Sequence, residues 1–267
     1  MKKISLLGCG WLGLPLAKSL IEKGFSVKGS TTSIAKILTL EKAGIHPFLI
    51  SLEENKIEGE IEFFLKDSTI LIIDVPPKLR SNSSENFVSK IKTLLPFIEN
   101  SSIEKVLFVS STSVYSNDNS IITEDTLLQP DTENGEQLLK AEHLLQSNKN
   151  FKTTIIRFGG LIGDDRHPIK YISGRKNIEN PNAPINLIHQ NDCIGIIESI
   201  IKKDSWSEVF NAVAPFHPTR KEYYTQKAIE LDLPLPEFDQ SKLFVGKIIL
   251  SEKITSVLEY KFQNPLL

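Results

Sequence analysis

Residues 2–20 read KKISLLGCGWLGLPLAKSL, in which the apolar run 4–7 is followed directly by Gly8, Gly10 and Gly13. The run predicts a strand, the G-x-G-x-x-G spacing predicts a tight turn, and the residues after it predict a helix. This order is typical of a dinucleotide-binding site, where glycines admit the pyrophosphate and the helix N-terminus faces its charge.

Two other interpretations of this stretch compete with cofactor binding. One is a secretory or lipoprotein signal, because Lys2 and Lys3 precede apolar residues and Cys9 follows them. The run 4–7 is too short for that, since a signal's apolar region needs roughly 7 to 15 residues. The other is an ordinary glycine-rich turn, which the motif alone does not exclude.

Composition describes an ordinary globular protein. With 267 residues, 40% of them hydrophobic and 24% charged, the chain can bury a large core. A net charge of −2 gives no reason to expect a nucleic acid or an anionic membrane as partner. The two cysteines, Cys9 and Cys193, predict neither a disulfide framework nor a zinc site. We expect no metal, no membrane span and a location in the cytoplasm.

Strand and helix patterns alternate through the first part of the chain. Predicted strands cover residues 4–7, 25–29, 46–50, 69–75, 105–110 and 152–158, and predicted helices follow Gly13 and cover residues 34–43, 86–99 and 136–146. This alternation predicts an α/β protein with a Rossmann-like doubly wound parallel sheet. We expect the Glu-rich residues 51–66 to form a solvated surface and residues 117–131 to form a loop.

The rhythm changes after Phe158, where residues 159–186 are rich in turns. Later patterns predict strands at 185–189 and 208–213 and helices at 192–202, 219–230 and 250–259. We therefore predict an NAD(P)-binding Rossmann domain over residues 1–158 and a smaller substrate lobe over 159–267 that partly returns to the core sheet.

The end of the second predicted strand bears on the choice of cofactor. It carries three hydroxyl residues, Ser30, Thr31 and Thr32. NAD-binding domains place a carboxylate here for the ribose 2′-hydroxyl. Because no acid is present and Lys28 or Lys36 is near in sequence, we predict NADP in preference to NAD. Alternatively, the hydroxyls cap the next helix, for which Ser33 is well placed.

In order and spacing, the segments resemble the short-chain dehydrogenase/reductase superfamily, in the extended or atypical branch that contains the NAD-dependent epimerase/dehydratase family. The resemblance rests on the glycine turn, VSSTSVY at 109–115, ED at 124–125 with Pro130, AE at 141–142, IRFGGLIG at 156–163, NLIHQND at 186–192 and VFNA at 209–212. The predicted cofactor-binding residues are Gly8, Gly10, Trp11, Leu12, Gly13, Ser30, Thr31, Thr32, Asp74, Val75 and Pro76.

The resemblance also identifies catalytic positions. It assigns Ser111 to the hydroxyl that binds the reacting group, but Asn134 and Leu138 stand where the superfamily carries its Tyr-x-x-x-Lys pair. An amide does not exchange a proton near neutral pH, and Leu carries no charge to lower a neighbouring pKa. We predict Tyr115 as a substitute acid, with a purely structural tyrosine as the alternative.

Several further residues have assignments. Thr112, Arg166 and His167 are predicted to bind substrate. For Arg166 and His167 the reason is that relatives hold anionic groups after the residue matching Gly163, and a solvated surface is the alternative. We expect His189 and Asp192 to make a structural hydrogen bond. A literal Y-x-x-x-K at residues 223–227 is expected on a helix surface, away from the nicotinamide.

The function that these features favour is an NAD(P)-dependent oxidoreductase or epimerase-like enzyme acting on a small hydroxyl or carbonyl substrate. The alternative is a catalytically degenerate NAD(P)-binding sensor or partner-binding protein. The resemblance implies a monomer or a homodimer, with helices 86–99 and 136–146 as the contact surface in dimeric relatives.

Overall fold

The computed structural model describes residues 2–77, 86–118, 120–239, 241 and 245–266. In chain order, the strands are β1 (Lys3–Leu7), β2 (Ser26–Thr31), β3 (His46–Leu49), β4 (Ser51–Leu52), β5 (Ile57–Glu58), β6 (Ile70–Ile73), β7 (Lys105–Ser111), β8 (Ile121–Ile122), β9 (Lys152–Phe158), β10 (Gly160–Ile162), β11 (Leu187–His189), β12 (Val209–Ala212) and β13 (Ile248–Ile249). The helices are α1 (Gly13–Glu22), α2 (Ile37–Lys42), α3 (Ile61–Leu65), α4 (Phe87–Glu99), α5 (Glu133–Ser147), α6 (Ile169–Ile172), α7 (Gln190–Lys203), α8 (Arg220–Glu230) and α9 (Glu252–Leu258).

The centre of the molecule is a seven-stranded sheet in the order β12-β9-β7-β6-β1-β2-β3, with parallel pairing throughout. Successive strands run outward from β1 in one direction as far as β3 and in the other from β6 to β12. The predicted doubly wound, Rossmann-like fold is therefore confirmed. The reversal between β1 and β6 is the point at which such sheets bind ligands.

Helices cover both faces of this sheet. On one face, α1, α7 and α9 contribute Leu16, Ile196 and Ile254 to one buried cluster. On the other, α3, α4 and α5 contribute Phe64, Leu94 and Leu145 to a second. Because both faces are covered, the central strands are continuously apolar, as in the fully buried β6.

Some elements differ from their predictions. Helix 34–43 begins as a 3₁₀ turn (Ile34–Lys36) before α2, and the Ser33 side chain makes no capping hydrogen bond. Residues 51–66 are not a simple solvated surface, since β4 pairs with β5 and α3 buries Phe64 and Leu65. In the predicted loop 117–131, which includes Asn119 outside the described residues, β8 pairs in parallel with β13.

The later residues build a small lobe beside the sheet. Its apolar core joins Ile162, Ile169, Tyr223 and Tyr224, and β10 pairs with β11 next to it. Strand β12 returns to the main sheet beside β9, so the lobe and sheet share connections. The domain division at residue 158 stays a prediction. Among the described residues, no helix is long and apolar enough to cross a membrane.

Candidate functional site

A cavity of about 750 Å³ lies at the carboxyl ends of β1, β2, β3 and β6. Its lining includes many of the predicted cofactor-binding residues, namely Gly8, Gly10, Ser30, Thr31, Thr32, Asp74, Val75 and Pro76. Topology explains this meeting, because parallel strands deliver their following loops to one edge of the sheet. The cavity therefore lies at the reversal point of the sheet.

The three glycines of the turn lie in different surroundings. Gly8 has a φ of +109°, and a Cβ there would lie 2.2 Å from the Asp74 carbonyl oxygen. A Cβ on Gly13 would lie 2.1 Å from the Gly8 carbonyl oxygen. Both therefore serve the packing of the turn. Gly10 differs, since a Cβ there would meet no described atom within 4 Å.

The N-terminus of α1 provides free hydrogen-bond donors. In the described part of the chain, the backbone amides of Trp11 and Leu12 have no acceptor, and no side chain caps the helix. The Leu12 side chain is apolar and buried in the core, so Leu12 would contact a ligand through its backbone amide and not through its side chain. Free amides at a helix N-terminus favour an anion. With the open space at Gly10, these residues fit the pyrophosphate of a dinucleotide.

Asp74 lies between this turn and the end of β6. The Gly13 amide donates to its carboxyl group, and burial raises the pKa of that carboxyl to about 8. At neutral pH the group is consequently protonated and carries no charge against a neighbouring phosphate.

The cavity lining also holds the hydroxyl residues at the end of β2 and just after it, Ser30, Thr31 and Thr32. Ser30 accepts a hydrogen bond from the Gly8 amide at 2.9 Å, and Thr31 accepts one from the Ser33 amide at 3.1 Å. Lys36 also lines the cavity. Lys28, the other candidate cation, instead donates to the carbonyl oxygens of Phe63 and Lys66, both at 2.6 Å, and does not line the cavity.

The end of β7 carries the predicted catalytic hydroxyl. Ser111 is half-buried, and its Oγ accepts a hydrogen bond from the Ser113 amide at 3.2 Å. The first turn of α5 packs against this segment so closely that a Cβ on Gly135 would lie 2.2 Å from the Ser113 carbonyl oxygen. Asn134 is half-buried in that turn, and Leu138 is buried in the core one turn later. Thr112, predicted to bind substrate, is mostly buried at 8% exposure.

Tyr115 does not fit its predicted catalytic role. Its side chain is 1% exposed, and its hydroxyl donates to Asn211 Oδ1 at 2.8 Å and accepts from Arg157 Nη1 at 2.6 Å. Arg157 in turn donates to the buried Glu142 carboxylate, with a closest distance of 2.7 Å. Burial raises the pKa of the Tyr115 hydroxyl, the opposite of what a proton donor near neutral pH needs. These contacts favour the alternative, a structural tyrosine, over the predicted acid.

Arg166 and His167 have different surroundings. The Arg166 guanidinium lies 4.9 Å from the centre of the Trp11 ring, and Trp11 donates from Nε1 to Asp165 Oδ1 at 2.8 Å. His167 accepts from the Ile169 amide at 3.1 Å through Nδ1, and its Nε2 contacts the Tyr223 hydroxyl at 2.8 Å. Burial lowers the pKa of His167 to about 4, so the ring is neutral and unsuited to hold an anion. These contacts and the neutral ring do not favour the predicted substrate role of His167, which stays a prediction.

The literal Y-x-x-x-K motif is also placed differently from its prediction. Tyr223 is 5% exposed in the core of the lobe and not on a helix surface, while Lys227 pairs with Glu230 at 3.0 Å. The motif therefore supports the lobe and does not reach the cavity lining.

His189 and Asp192 both make structural hydrogen bonds, although not with each other. His189 Nδ1 accepts from the Asn191 amide at 3.2 Å and caps α7. The fully buried Asp192 accepts from Tyr260, from the amide of Gln263 and from Asn264. Asp192 thus anchors the C-terminal segment to α7.

Sequence reasoning missed part of the cavity. Its lining also includes Ile50, Ser51, Leu52, Glu53, Glu54, Asn55, Lys56, Phe87 and Lys90. The sequence could have indicated the residues that follow β3, because a third parallel strand beside β2 brings the residues after it to the same edge of the sheet. Phe87 and Lys90 belong to α4, and no pattern in the sequence places that helix at the cavity.

Solved structures with this fold include nicotinamide-dependent enzymes. UDP-glucuronic acid 4-epimerase from Bacillus cereus, in complex with NAD, has a TM-score of 0.79 at 18% identity over 98% of this chain and 94% of its own. UDP-glucose 4-epimerase from Thermotoga maritima, with UDP-glucose, has a TM-score of 0.81 at 15% identity over 98% of this chain and 94% of its own. The fold is accordingly that of the extended short-chain dehydrogenase/reductase superfamily, as the resemblance implied.

Sequence comparison is more specific. No family model matches the chain. Protein YeeZ from Escherichia coli K12 is 31% identical over 270 residues, which cover 99% of this chain and 97% of YeeZ. The chain belongs to the family of protein YeeZ.

Proposed function

We propose that the cavity binds a nicotinamide dinucleotide, with the pyrophosphate at the glycine turn. The observation that carries this proposal is the pair of free amides at Trp11 and Leu12 beside the open space at Gly10. The neutral Asp74 carboxyl adds no repulsion at neutral pH. The test is titration of the purified protein with NADPH and with NADH, followed by nicotinamide fluorescence; absence of binding by both contradicts the proposal.

We infer that NADP is preferred over NAD. The support is the hydroxyl pair Thr31 and Thr32 with Lys36 on the cavity lining, where an NAD-binding site has an acid. Lys36→Gln is expected to weaken NADPH binding about tenfold and to leave NADH binding unchanged. Lys28→Gln is the matched control, because Lys28 lies on the same strand as Thr31 and bonds to carbonyl oxygens away from the cavity. Tighter binding of NADH by the parent contradicts this preference.

We further propose an oxidoreductase or epimerase-like reaction on a small, anionic hydroxyl or carbonyl compound. A bound nicotinamide supplies hydride transfer. Ser111 donates its hydroxyl hydrogen to the reacting oxygen and holds it in position. Because Tyr115 is committed to Arg157 and Asn211, the proton comes from water. The two epimerases with this fold act on sugar nucleotides, which supports an anionic substrate of that kind.

Turnover tests this reaction class. NADPH oxidation is measured against small carbonyl compounds and sugar nucleotides for the parent and for Ser111→Ala, in which we expect a loss of about 100-fold or more. Ser113→Ala is the matched control, since the buried Ser113 hydroxyl has no hydrogen-bond partner among the described residues. Equal turnover of the parent and Ser111→Ala removes Ser111 from the mechanism.

The second candidate function is dinucleotide binding without catalysis, as in a redox sensor. The observation that favours it is that Leu138 is buried in the core and Tyr115 is structural, so neither position supplies proton chemistry. Tight NADPH binding with no turnover of any compound in the same assay supports this function over the enzyme.

A further inference from the structure

Trp11 connects the glycine turn to the lobe. Its carbonyl oxygen accepts a hydrogen bond from Gln190 Nε2 at 2.7 Å, and its indole Nε1 donates to Asp165 Oδ1 at 2.8 Å. A Cβ on Gly163 would lie 2.8 Å from the indole, so the ring packs directly on the backbone of the lobe. The orientation of the indole is therefore fixed from several sides.

Arg166 lies on this fixed ring. Its guanidinium is 4.9 Å from the indole centre, and its backbone forms a tight turn with Gly163 through hydrogen bonds of 3.0 and 2.8 Å. Of the neighbouring acids, Asp165 accepts from the Trp11 indole, and Asp164 lies 3.6 Å from His189. Within the described ranges, Arg166 has no ion pair. An exposed, oriented guanidinium without a counter-ion is suited to an anionic group.

The position of Trp11 indicates which anion that is. The cavity lining follows the glycine turn as far as Gly10, and Trp11 is the next residue. The free amides of Trp11 and Leu12 point to an anion at this place, and Arg166 is stacked on the side chain of the same Trp11. His167, the neighbouring candidate, is committed to Ile169 and Tyr223.

We propose that Arg166 is a cofactor-binding residue, whose guanidinium binds the pyrophosphate of the dinucleotide from the face of Trp11. This inference rests on the proposed binding of a dinucleotide. It replaces the predicted role of Arg166 in holding an anionic substrate. It also makes the lobe part of the cofactor site, so that dinucleotide binding and the position of residues 163–166 are coupled.

The experiment compares Arg166→Gln with the parent by NADPH titration at several salt concentrations. We expect Arg166→Gln to bind NADPH about tenfold more weakly and with a reduced salt dependence, and Arg166→Lys to lose less because it keeps the charge. Arg175→Gln is the matched control, because Arg175 is an exposed arginine of the same lobe whose described contacts include neither Trp11 nor the glycine turn. It is expected to bind like the parent.

The outcomes separate the two proposals. If neither the parent nor any variant binds a dinucleotide, the proposed function fails and this inference fails with it. If the parent binds and Arg166→Gln binds equally well, the role of Arg166 alone is overturned. Thermal unfolding without cofactor provides the second measurement. If Arg166→Gln loses affinity and its unfolding midpoint also falls, and Arg166→Lys binds NADPH no more tightly than Arg166→Gln, Arg166 has a structural role and the inference is overturned.

Discussion

Replacing Gly10 by alanine separates the fold of the glycine turn from its function. A Cβ on Gly10 would meet no described atom within 4 Å, whereas the same atom on Gly13 would lie 2.1 Å from the Gly8 carbonyl oxygen. The two substitutions add the same methyl group three residues apart. Gly10→Ala therefore tests whether a ligand occupies the open space beside the turn, and Gly13→Ala tests how the turn itself packs.

Gly10→Ala is expected to change the affinity for NADPH, and Gly13→Ala is expected to change the stability of the fold. Gly10→Ala leaves the fold intact and, by restricting the unfolded chain, changes its stability by no more than about 1 kcal/mol, in the stabilising direction. The methyl group holds the pyrophosphate away from the amides of Trp11 and Leu12, and each lost charge-assisted hydrogen bond costs about 1.5–3 kcal/mol. The loss of one of these two hydrogen bonds should weaken NADPH binding by about 10- to 100-fold. Gly13→Ala overpacks the turn and should cost about 1–3 kcal/mol of stability.

Two measurements on the same samples check this expectation. Urea unfolding without cofactor gives the stability of each variant, and NADPH titration by fluorescence gives its affinity. If Gly10→Ala binds NADPH as tightly as the parent does, the pyrophosphate does not approach this turn and the assignment of the cavity is wrong. If Gly10→Ala is instead as unstable as Gly13→Ala, the space beside Gly10 is not open.

Three further outcomes follow from carboxyl groups, those of Asp74, Glu142 and Asp192. Because the pKa of Asp74 is raised to about 8, its carboxyl group ionises as the pH rises past that value. NADPH affinity should therefore fall above pH 8 in the parent but not in Asp74→Asn. Titrations of both proteins at pH 7 and at pH 9.5 make the comparison. Glu142→Gln leaves Arg157 buried without its counter-ion and should cost about 3–5 kcal/mol in urea unfolding, whereas Glu136→Gln, on the exposed side of the same helix, should cost less than about 1 kcal/mol. Asp192→Asn removes a carboxylate that accepts from the C-terminal segment and should cost about 1–3 kcal/mol, measured in the same way; an unchanged midpoint would show that this segment is anchored by its apolar contacts.

The main sheet was predictable because its strands are read from local patterns. Residues 105–110 and 152–158 are rich in apolar and β-branched residues, and the structure has β7 and β9 at these places. Helix α3 was missed because its five residues sit in a Glu-rich segment, where charge conceals the buried Phe64 and Leu65. The pairing of β8 with β13 joins residues more than a hundred positions apart, and two-residue strands carry no periodicity to detect.

The candidate site was predictable where it depends on backbone geometry. Glycine spacing and strand ends brought Gly8, Gly10 and Asp74 to one cavity, as expected. The roles of polar side chains were harder, because hydrogen-bond partners distant in sequence decide them. The Tyr115 hydroxyl accepts a hydrogen bond from Arg157, which lies on β9 and not on the segment of Ser111.

Leu138, which stands where the resemblance places the lysine of a Tyr-x-x-x-Lys pair, lies in the core of this protein. Leu138 is 3% exposed inside the apolar cluster between the sheet and α4, so a lysine at this position would bury a charge without a partner. We expect Leu138→Lys to lose roughly 3–5 kcal/mol of stability in urea unfolding, while Asn134→Tyr, at a half-buried position, folds like the parent. A Leu138→Lys variant as stable as the parent would contradict this reasoning. Because a lysine at position 138 would be buried without a partner, the proposed reaction relies on Ser111, which lies outside the cavity lining, together with water and the cofactor.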